Sequence, residues 1–304
     1  MTRSNEFDMK IFYSFVLVLI SLFVVTTVSG QQAAQYSLYS FNPYHFNPAY
    51  GGMDGSLSAT GVFRKQWTGL IGSPTTQALT AHMPFYFLNG GVGLSIENDI
   101  LGAERNTQVT ASYNYIQSIG KESVLSVGLA GGFVQKSLDG ALLRAPDGVY
   151  EGPTINHNDP ILSEGLQSGI APVLNAGIYF RSPTIEAGVS GSHLLESSVQ
   201  FTDNAVTEIT FNRNLYFTFA YNIYVGEKLQ VKPSVFVKTD FVQTQIDFSG
   251  ILTYNGNIIF GSSLRGYNER SLDAVVLIAG MQVTDNISLA YGYDIPISGL
   301  RTVN

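Results

Sequence analysis

Few side chains in this 304-residue sequence could act as a nucleophile, an acid or a base. Ser192-His193 is the only adjacent Ser–His pair, and neighbours in a strand point to opposite faces, so the two could not act together there. Glu97 and Asp99 share a strand face, but paired carboxylates at a strand end are typical of a hydrated rim. No G-x-S-x-G, P-loop or dinucleotide-binding motif occurs in a strand-to-helix setting. The sequence therefore predicts no enzymatic activity.

Metal-ligating residues are equally sparse. The histidines are scattered, without partners at a ligand spacing: His45, His82, His157 and His193. Four carboxylates share a Gly- and Pro-rich stretch without the spacing of a calcium loop, which favours a solvated loop: Asp147, Glu151, Asp159 and Glu164. The chain has no cysteine, which excludes disulfides and thiolate ligands. We predict no metal and no cofactor.

Composition and the N-terminus indicate an exported membrane protein. Charged residues make up 13% of the chain, against about 25% in an average soluble domain. The net charge of −7, with no basic stripe, argues against a nucleic-acid partner. Residues 1–30 read as a signal peptide, because Arg3 and Lys10 precede the apolar run 11–28. Cleavage is expected near Gly30, or after Ala33 or Ala34; an uncleaved membrane anchor is the alternative.

Alternation of apolar and polar residues dominates the rest of the chain. Leu229, Val231, Val235 and Val237 share one parity, and the charged residues of the same stretch share the other: Lys228, Lys232, Lys238 and Asp240. This period of two is typical of strands with one apolar face. Thirteen such segments follow one another: 57–66, 75–83, 91–98, 107–118, 122–135, 170–181, 184–192, 213–224, 228–239, 244–254, 257–265, 271–283 and 286–294. Tight connections such as Asn255-Gly256 predict a meander of antiparallel hairpins.

Two architectures fit such a meander: a soluble sandwich or lipocalin-like barrel, and an outer-membrane barrel. Segments of 9–13 residues, scarce charge and an export signal favour the membrane barrel. Aromatic residues near segment ends would form its interfacial girdles: Phe85, Tyr86, Phe87, Tyr179, Phe180, Tyr216, Tyr254, Tyr291 and Tyr293. We therefore predict an all-β transmembrane outer-membrane antiparallel β-barrel. Its polar face, with Lys228, Lys232, Lys238 and Asp240, would line a water-filled lumen, and Pro233 would cause a bulge or kink.

Several motifs then carry a family resemblance. They are FNPAYGG (46–52), RKQW (64–67), GSPTT (72–76), GVGL (91–94), GVSGSHL (188–194), LDA (272–274) and YGYDIPISGL (291–300). In this order they resemble the PorP/SprF family of type IX secretion system membrane proteins. The resemblance implies partner-contact candidates in the first two motifs: Phe46, Asn47, Pro48, Ala49, Tyr50, Arg64, Gln66 and Trp67.

The resemblance also implies a function and a domain layout. The function is a non-enzymatic outer-membrane component of type IX secretion that supports export or surface attachment of cargo, including gliding adhesins. The implied partners are other secretion subunits, a periplasmic peptidoglycan-associated lipoprotein and cargo C-terminal domains. Residues 31–55 would lie at the barrel mouth and residues 56–304 would form the barrel. The family pattern continues with another strand and bacterial barrels have even strand numbers, so 14 strands are expected and the last is missing.

Two alternatives remain open at this point. One is a passive or hydrophobic-solute channel of similar architecture, and the other is a soluble β-barrel binding module. The interior distinguishes the first from a secretion component, because a channel needs an open path. The direction of the apolar face distinguishes the second.

Overall fold

Alternation with period two builds one antiparallel sheet in this protein, seen in a computed structural model. The structure describes residues 34–151, 155–159, 162–201, 208–267 and 272–297. The strands of the large sheet are β1 Ser58–Lys65, β2 Thr75–Phe85, β3 Gly90–Leu101, β4 Glu104–Ile119, β5 Ser123–Asp139, β6 Leu166–Arg181, β7 Ile185–Ser192, β10 Asn214–Tyr221, β11 Ile223–Val225, β12 Leu229–Thr239, β13 Thr244–Tyr254, β14 Ile258–Arg265, β15 Ala274–Thr284 and β16 Ile287–Pro296. Each pairs with the next along the chain, except that β7 pairs with β10, and both β10 and β11 pair with β12. The thirteen predicted segments and their order are confirmed.

The strand connections differ strongly between the two ends of the sheet. At the end that we call the turn end, connections have two to four residues: 86–89, 120–122, 182–184, 226–228, 255–257 and 285–286. Asn255 and Gly256 have φ of 52° and 72°, as the two central residues of a type I′ turn require. At the opposite end, the loop end, connections reach 26 residues: 66–74, 102–103, 140–165, 193–213, 240–243 and 266–273. Outer-membrane barrels show the same asymmetry, with short periplasmic turns and long extracellular loops.

The two faces of the sheet have the predicted polarity. Large apolar side chains point outward and stay exposed, for example Phe217 at 42% and Leu289 at 62%. Polar side chains point inward, and Asn114 and Ser126 are fully buried. A soluble barrel with an apolar core would show the reverse, so the orientation of a membrane barrel is confirmed. None of the helices in the described ranges is long and apolar enough to cross a membrane.

Some local predictions were wrong. Tyr179 and Tyr216 are buried on the inward face, so they are not girdle residues. Pro233 causes no register shift, because β12 pairs with β13 without interruption from residue 229 to residue 239. Instead, the pairing of β12 with β10 and β11 lapses opposite Pro233, at Tyr221 and Asn222, because proline has no N–H to donate.

β1 and β16 are the two outer strands in the strand order, and the sheet brings them together. The guanidinium Nη2 of Arg64 on β1 lies 2.7 Å from the carboxylate Oδ2 of Asp294 on β16. An all-β antiparallel sheet curled this far is consistent with a barrel. Because twelve antiparallel pairings lead from β1 to β16, both edge strands run in the same direction, and no backbone pairing joins them among the described residues. We call this junction the seam; the expected fourteenth strand stays a prediction.

A small hairpin covers part of the loop end. Its strands, β8 Ser198–Gln200 and β9 Glu208–Thr210, have three residues each, too few for the alternation pattern to reveal. Val199 is 1% exposed and packs in an apolar cluster with inward-facing residues of β5 and β6: Val134, Ala171 and Val173. Phe201 and Phe211 complete the cluster. The connection between β7 and β10 therefore folds back over the interior.

Candidate functional site

The interior of the sheet is occupied by residues 34–55, which we call the plug. Two Asn-Pro pairs shape it. Pro43 begins a one-turn α-helix, α1 Pro43–Phe46, and Pro48 begins the 3₁₀ turn Pro48–Tyr50. Proline suits the first helical position because its ring fixes φ and no N–H is lost there. The Asn47 side chain accepts a hydrogen bond from the Ala49 N–H at 2.9 Å and caps the second turn. The FNPAY motif thus folds into a compact segment.

The plug runs the length of the interior from the loop end to the turn end. Near the loop end, the Lys238 Nζ lies 3.5 Å from the Ala34 carbonyl oxygen. At the turn end, the Gly52 N–H donates to His82 Nδ1 at 3.1 Å, and Arg181 Nη1 donates to the Met53 carbonyl oxygen at 3.1 Å. We expected an aqueous lumen, but protein fills this part of it.

Close backbone contacts hold the turn-end half of the plug. Asn47 Nδ2 donates to the carbonyl oxygens of Ile178 at 3.0 Å and Val189 at 3.2 Å, so it bridges β6 and β7. Ala49 is completely buried, and a Cβ added at Gly128 on β5 would lie 2.5 Å from its nitrogen. Only a glycine leaves room for the plug at Gly128.

Aromatic rings fill the middle of the interior. The Phe46 ring lies 4.8 Å from that of Phe236, which also stacks on Tyr39 at 4.8 Å. Tyr39 and Tyr44 pair their hydroxyls with Ser234 and Ser112, at 3.0 and 2.7 Å. Burial raises the pKa of both phenols further above physiological pH, so both hydroxyl groups keep their protons. The polar inward parity of the strands thus serves the hydroxyls of the plug.

Glu97 on β3 anchors the plug in the loop-end half. Its Oε2 accepts a hydrogen bond from the Tyr36 hydroxyl at 2.5 Å and lies 2.9 Å from His45 Nε2. Two effects raise the pKa of Tyr36: burial is the larger, and the negative charge of Glu97 is the second. One carboxylate therefore holds two plug side chains by charge-assisted hydrogen bonds.

A charged cluster ties the plug to the seam; we call Ser37, Arg64, Asp247, Arg265 and Asp294 the seam cluster. Asp294 accepts from Ser37 Oγ at 2.6 Å, from Arg64 at 2.7 Å and from Arg265 at 2.9 Å. Arg265 is 2% exposed; it also donates to Ser37 Oγ at 2.7 Å and lies 3.7 Å from Asp247. In addition, Arg64 donates to the carbonyl oxygen of plug residue 35. The cluster links β1, β13, β14 and β16 through the plug.

The residues singled out from the first two motifs fall into two groups. All five FNPAY residues lie in the plug and are buried: Phe46, Asn47, Pro48, Ala49 and Tyr50. Arg64 is brought to the plug by the seam cluster. Gln66 and Trp67 lie outside it, in the loop after β1, where Trp67 is 37% exposed. A partner could reach Trp67 directly, whereas contact with Phe46–Tyr50 would require the plug to move.

The four charged residues of the β12 stretch also separate. Lys232 points inward and pairs with Glu186 at 3.1 Å, and Lys238 is buried in the interior. Lys228 lies in an exposed turn at the turn end. Asp240 lies in the loop-end connection, where its carboxylate accepts the N–H groups of Val242 and Gln243. The inward parity therefore holds within the strand and ends where the strand ends.

Sequence reasoning did not single out the residues that hold the plug. Asn114 Nδ2 donates to the Ala49 carbonyl oxygen at 3.1 Å, and a Cβ added at Gly177 would lie 2.1 Å from Asn47 Oδ1. Arg265 and Asp294 hold Ser37, and Asp294 belongs to the YGYDIPISGL motif but was given no role. The available signal was a polar or glycine residue at an inward position in the middle of a strand. Their partners lie far away in sequence, for example 257 residues between Ser37 and Asp294. Among the described residues, no group of three or more His, Asp or Glu side chains is arranged to hold a metal ion.

Comparison with known proteins identifies the family. The family model for the type IX secretion system membrane protein PorP/SprF matches residues 28–304, almost the whole chain. A comparison with curated protein sequences finds no significant match. The family match agrees with the ordered motifs, and the FNPAY motif of that resemblance forms the centre of the plug. This chain therefore belongs to the PorP/SprF family of type IX secretion system membrane proteins.

Proposed function

We propose that this protein is a non-enzymatic outer-membrane component of the type IX secretion system that acts as a plugged scaffold and not as an open pore. The observation that carries the proposal is the occupied interior: the plug contacts strands from β1 to β16 and is hydrogen-bonded near the loop end and at the turn end. A passive channel needs a continuous path, which the plug obstructs. A scaffold for other subunits works with its interior closed.

The ends of the sheet suggest where partners bind. We infer that the turn end faces the periplasm, because outer-membrane barrels place short turns there. The periplasmic lipoprotein would then meet the turn end, and cargo C-terminal domains or surface adhesins would meet the loop end. Exposed Trp67 lies at the loop end, whereas exposed Tyr86 and Phe87 lie at the turn end.

The orientation can be tested with single cysteines, because the chain has none of its own. Val242→Cys lies at the loop end, and Glu227→Cys lies at the turn end. A membrane-impermeant maleimide added to intact cells should label Val242→Cys, and should label Glu227→Cys only after the outer membrane is permeabilised. The reverse pattern would contradict the orientation.

The function itself is tested by affinity purification from native membranes after mild detergent extraction. Co-purification of secretion-system subunits, a periplasmic lipoprotein or a large exported adhesin supports the scaffold. Planar-bilayer recording of the same preparation should show no steady conductance. A lone heat-modifiable barrel that passes ions or small solutes would instead favour the channel alternative.

A further inference from the structure

A cavity of about 290 Å³ lies beside the plug in the loop-end half of the interior. It is bounded by the plug, by inward-facing residues of β3, β4 and β5, and by residues of β6, β7, β10 and the connection between β7 and β10. Glu104 stands at its outer end with a side chain that is 38% exposed. The contacts that hold the plug in place do not require this space to be empty. A ligand in the cavity is therefore compatible with the plugged scaffold.

Carboxylates outnumber lysine and arginine side chains in the lining of the cavity. Glu97, Asp99 and Glu104 contribute three negative charges, and Lys136 contributes one positive charge. Lys136 is already paired with Glu104 at 2.9 Å. The lining holds no other lysine or arginine; its remaining basic groups are His45, which lies 2.9 Å from Glu97, and His193.

The hydrogen-bond inventory of the lining shows the same surplus. Tyr36 and His45 both contact Oε2 of Glu97, which leaves its Oε1 as an acceptor, and Thr76 donates only to Oδ1 of Asp99. The His45 side chain is 10% exposed, and its Nδ1 has no hydrogen-bond partner; the same holds for the Asn106 Oδ1. Acceptors without donors raise the negative potential of an enclosed site and favour a cation that can donate.

The size and the ligand set narrow the class of cation. A volume of 290 Å³ lies at the lower end of ligand pockets, about 300–1,000 Å³, and accommodates one short aliphatic chain with a charged head. The described lining offers no three-ligand group for a metal ion. Donating cations of this size are alkylammonium and alkylguanidinium groups.

We propose that this cavity binds an organic cation, a primary ammonium or guanidinium group on a short aliphatic chain, which enters past Glu104 from the loop end. The cation would lie between the carboxylates of Glu97 and Asp99. Its source is either a free amine or a lysine or arginine side chain of a polypeptide. The inference goes beyond the proposed function and does not depend on it.

The test is calorimetric titration of the full-length protein in detergent with cadaverine. We expect saturable binding that Asp99→Asn weakens at least about tenfold, because the substitution removes one charge and keeps an acceptor for Thr76. The matched control is Asp285→Asn, the same change in a turn at the turn end, which should bind like the wild type. If Asp99→Asn does not fold, Glu104→Gln replaces it, with Glu227→Gln as its control.

Three outcomes would overturn the proposal. They are no saturable binding of cadaverine by the wild-type protein, equal weakening by Asp99→Asn and Asp285→Asn, and equal binding of the neutral analogue 1-pentanol. If cadaverine binds, a capped Gly-Lys-Gly peptide distinguishes the sources. Tighter binding of the peptide assigns the site to a polypeptide side chain, and tighter binding of cadaverine assigns it to a free amine.

Discussion

The two halves of the plug are held by different interactions. The turn-end half, around Asn47 and Ala49, is held by hydrogen bonds to strand carbonyl groups and by contacts that leave no room for a Cβ at Gly128. The loop-end half is held by charged side chains, with Ser37 against Arg265 and Asp294. Close packing is sensitive to small changes of shape, whereas a charged contact is sensitive to changes of charge. If the plug moves during function, we expect the loop-end half to move first.

The largest effect is expected from removing the central cation of the seam cluster. Arg265→Met leaves the buried carboxylate of Asp247 and the partly buried carboxylate of Asp294 without their shared partner. The free energy of unfolding should fall by about 3–5 kcal/mol, as when one partner of a buried ion pair is removed. Urea titration of the refolded protein, followed by heat modifiability on gels, measures it. The control Arg105→Met, at an exposed position, should change it little; equal losses would contradict a special role of the seam cluster.

The next effect probes the other half of the plug. Gly128→Ala adds a Cβ that would lie 2.5 Å from the Ala49 nitrogen, so the backbone of the plug must shift. We expect a loss of about 1–3 kcal/mol in the same titration, the usual range for overpacking. Gly131→Ala, three residues along β5, places its Cβ where no atom lies within 4 Å. Loss of stability in Gly131→Ala but not in Gly128→Ala would refute the packing account.

A smaller effect is expected at Asn47. Asn47→Ala removes two hydrogen bonds to strand carbonyl groups and the cap on the Ala49 N–H. The expected loss is about 1–2 kcal/mol, since the site is buried and the two carbonyl groups lose a donor. Limited proteolysis tells the two halves of the plug apart. In Asn47→Ala, we expect the protease to cut the turn-end half. Cleavage in the loop-end half alone would contradict the assigned anchor.

The smallest effect is expected from a comparison of Lys232 on β12 with Lys228 in the turn before it. Lys232→Met leaves the carboxylate of Glu186, whose side chain is 9% exposed, without its ammonium partner. The transition temperature of thermal unfolding should fall by a few degrees, which corresponds to a loss of about 1 kcal/mol in the free energy of unfolding. Lys228→Met, in the exposed turn, should leave the transition temperature unchanged. Equal shifts for the two variants would contradict a stabilising role of the ion pair between Lys232 and Glu186.

The comparison also shows which features a sequence discloses. Strands were predictable because alternation is local, and Asn255-Gly256 specifies its own turn. The resemblance drew attention to FNPAY, but not to its burial, because Asn47 meets its partner carbonyls 131 and 142 residues away. Tyr216 was mistaken for a girdle residue because it lies near a segment end, although it shares the polar parity of Asn214 and packs on Phe46 in the interior. The contacts of the interior therefore could not be predicted from the sequence alone.

The position of the plug has a consequence for assembly. Residues 34–55 leave the ribosome before any of the strands that surround them. Asp294, which accepts a hydrogen bond from Ser37, is made 257 residues later. The plug therefore makes all of its contacts only when β16 has joined the sheet, and any intermediate without β16 has Arg64 and Arg265 without the carboxylate that joins them. Because this contact joins residues so far apart in the sequence, we expect its formation to be a slow step of folding.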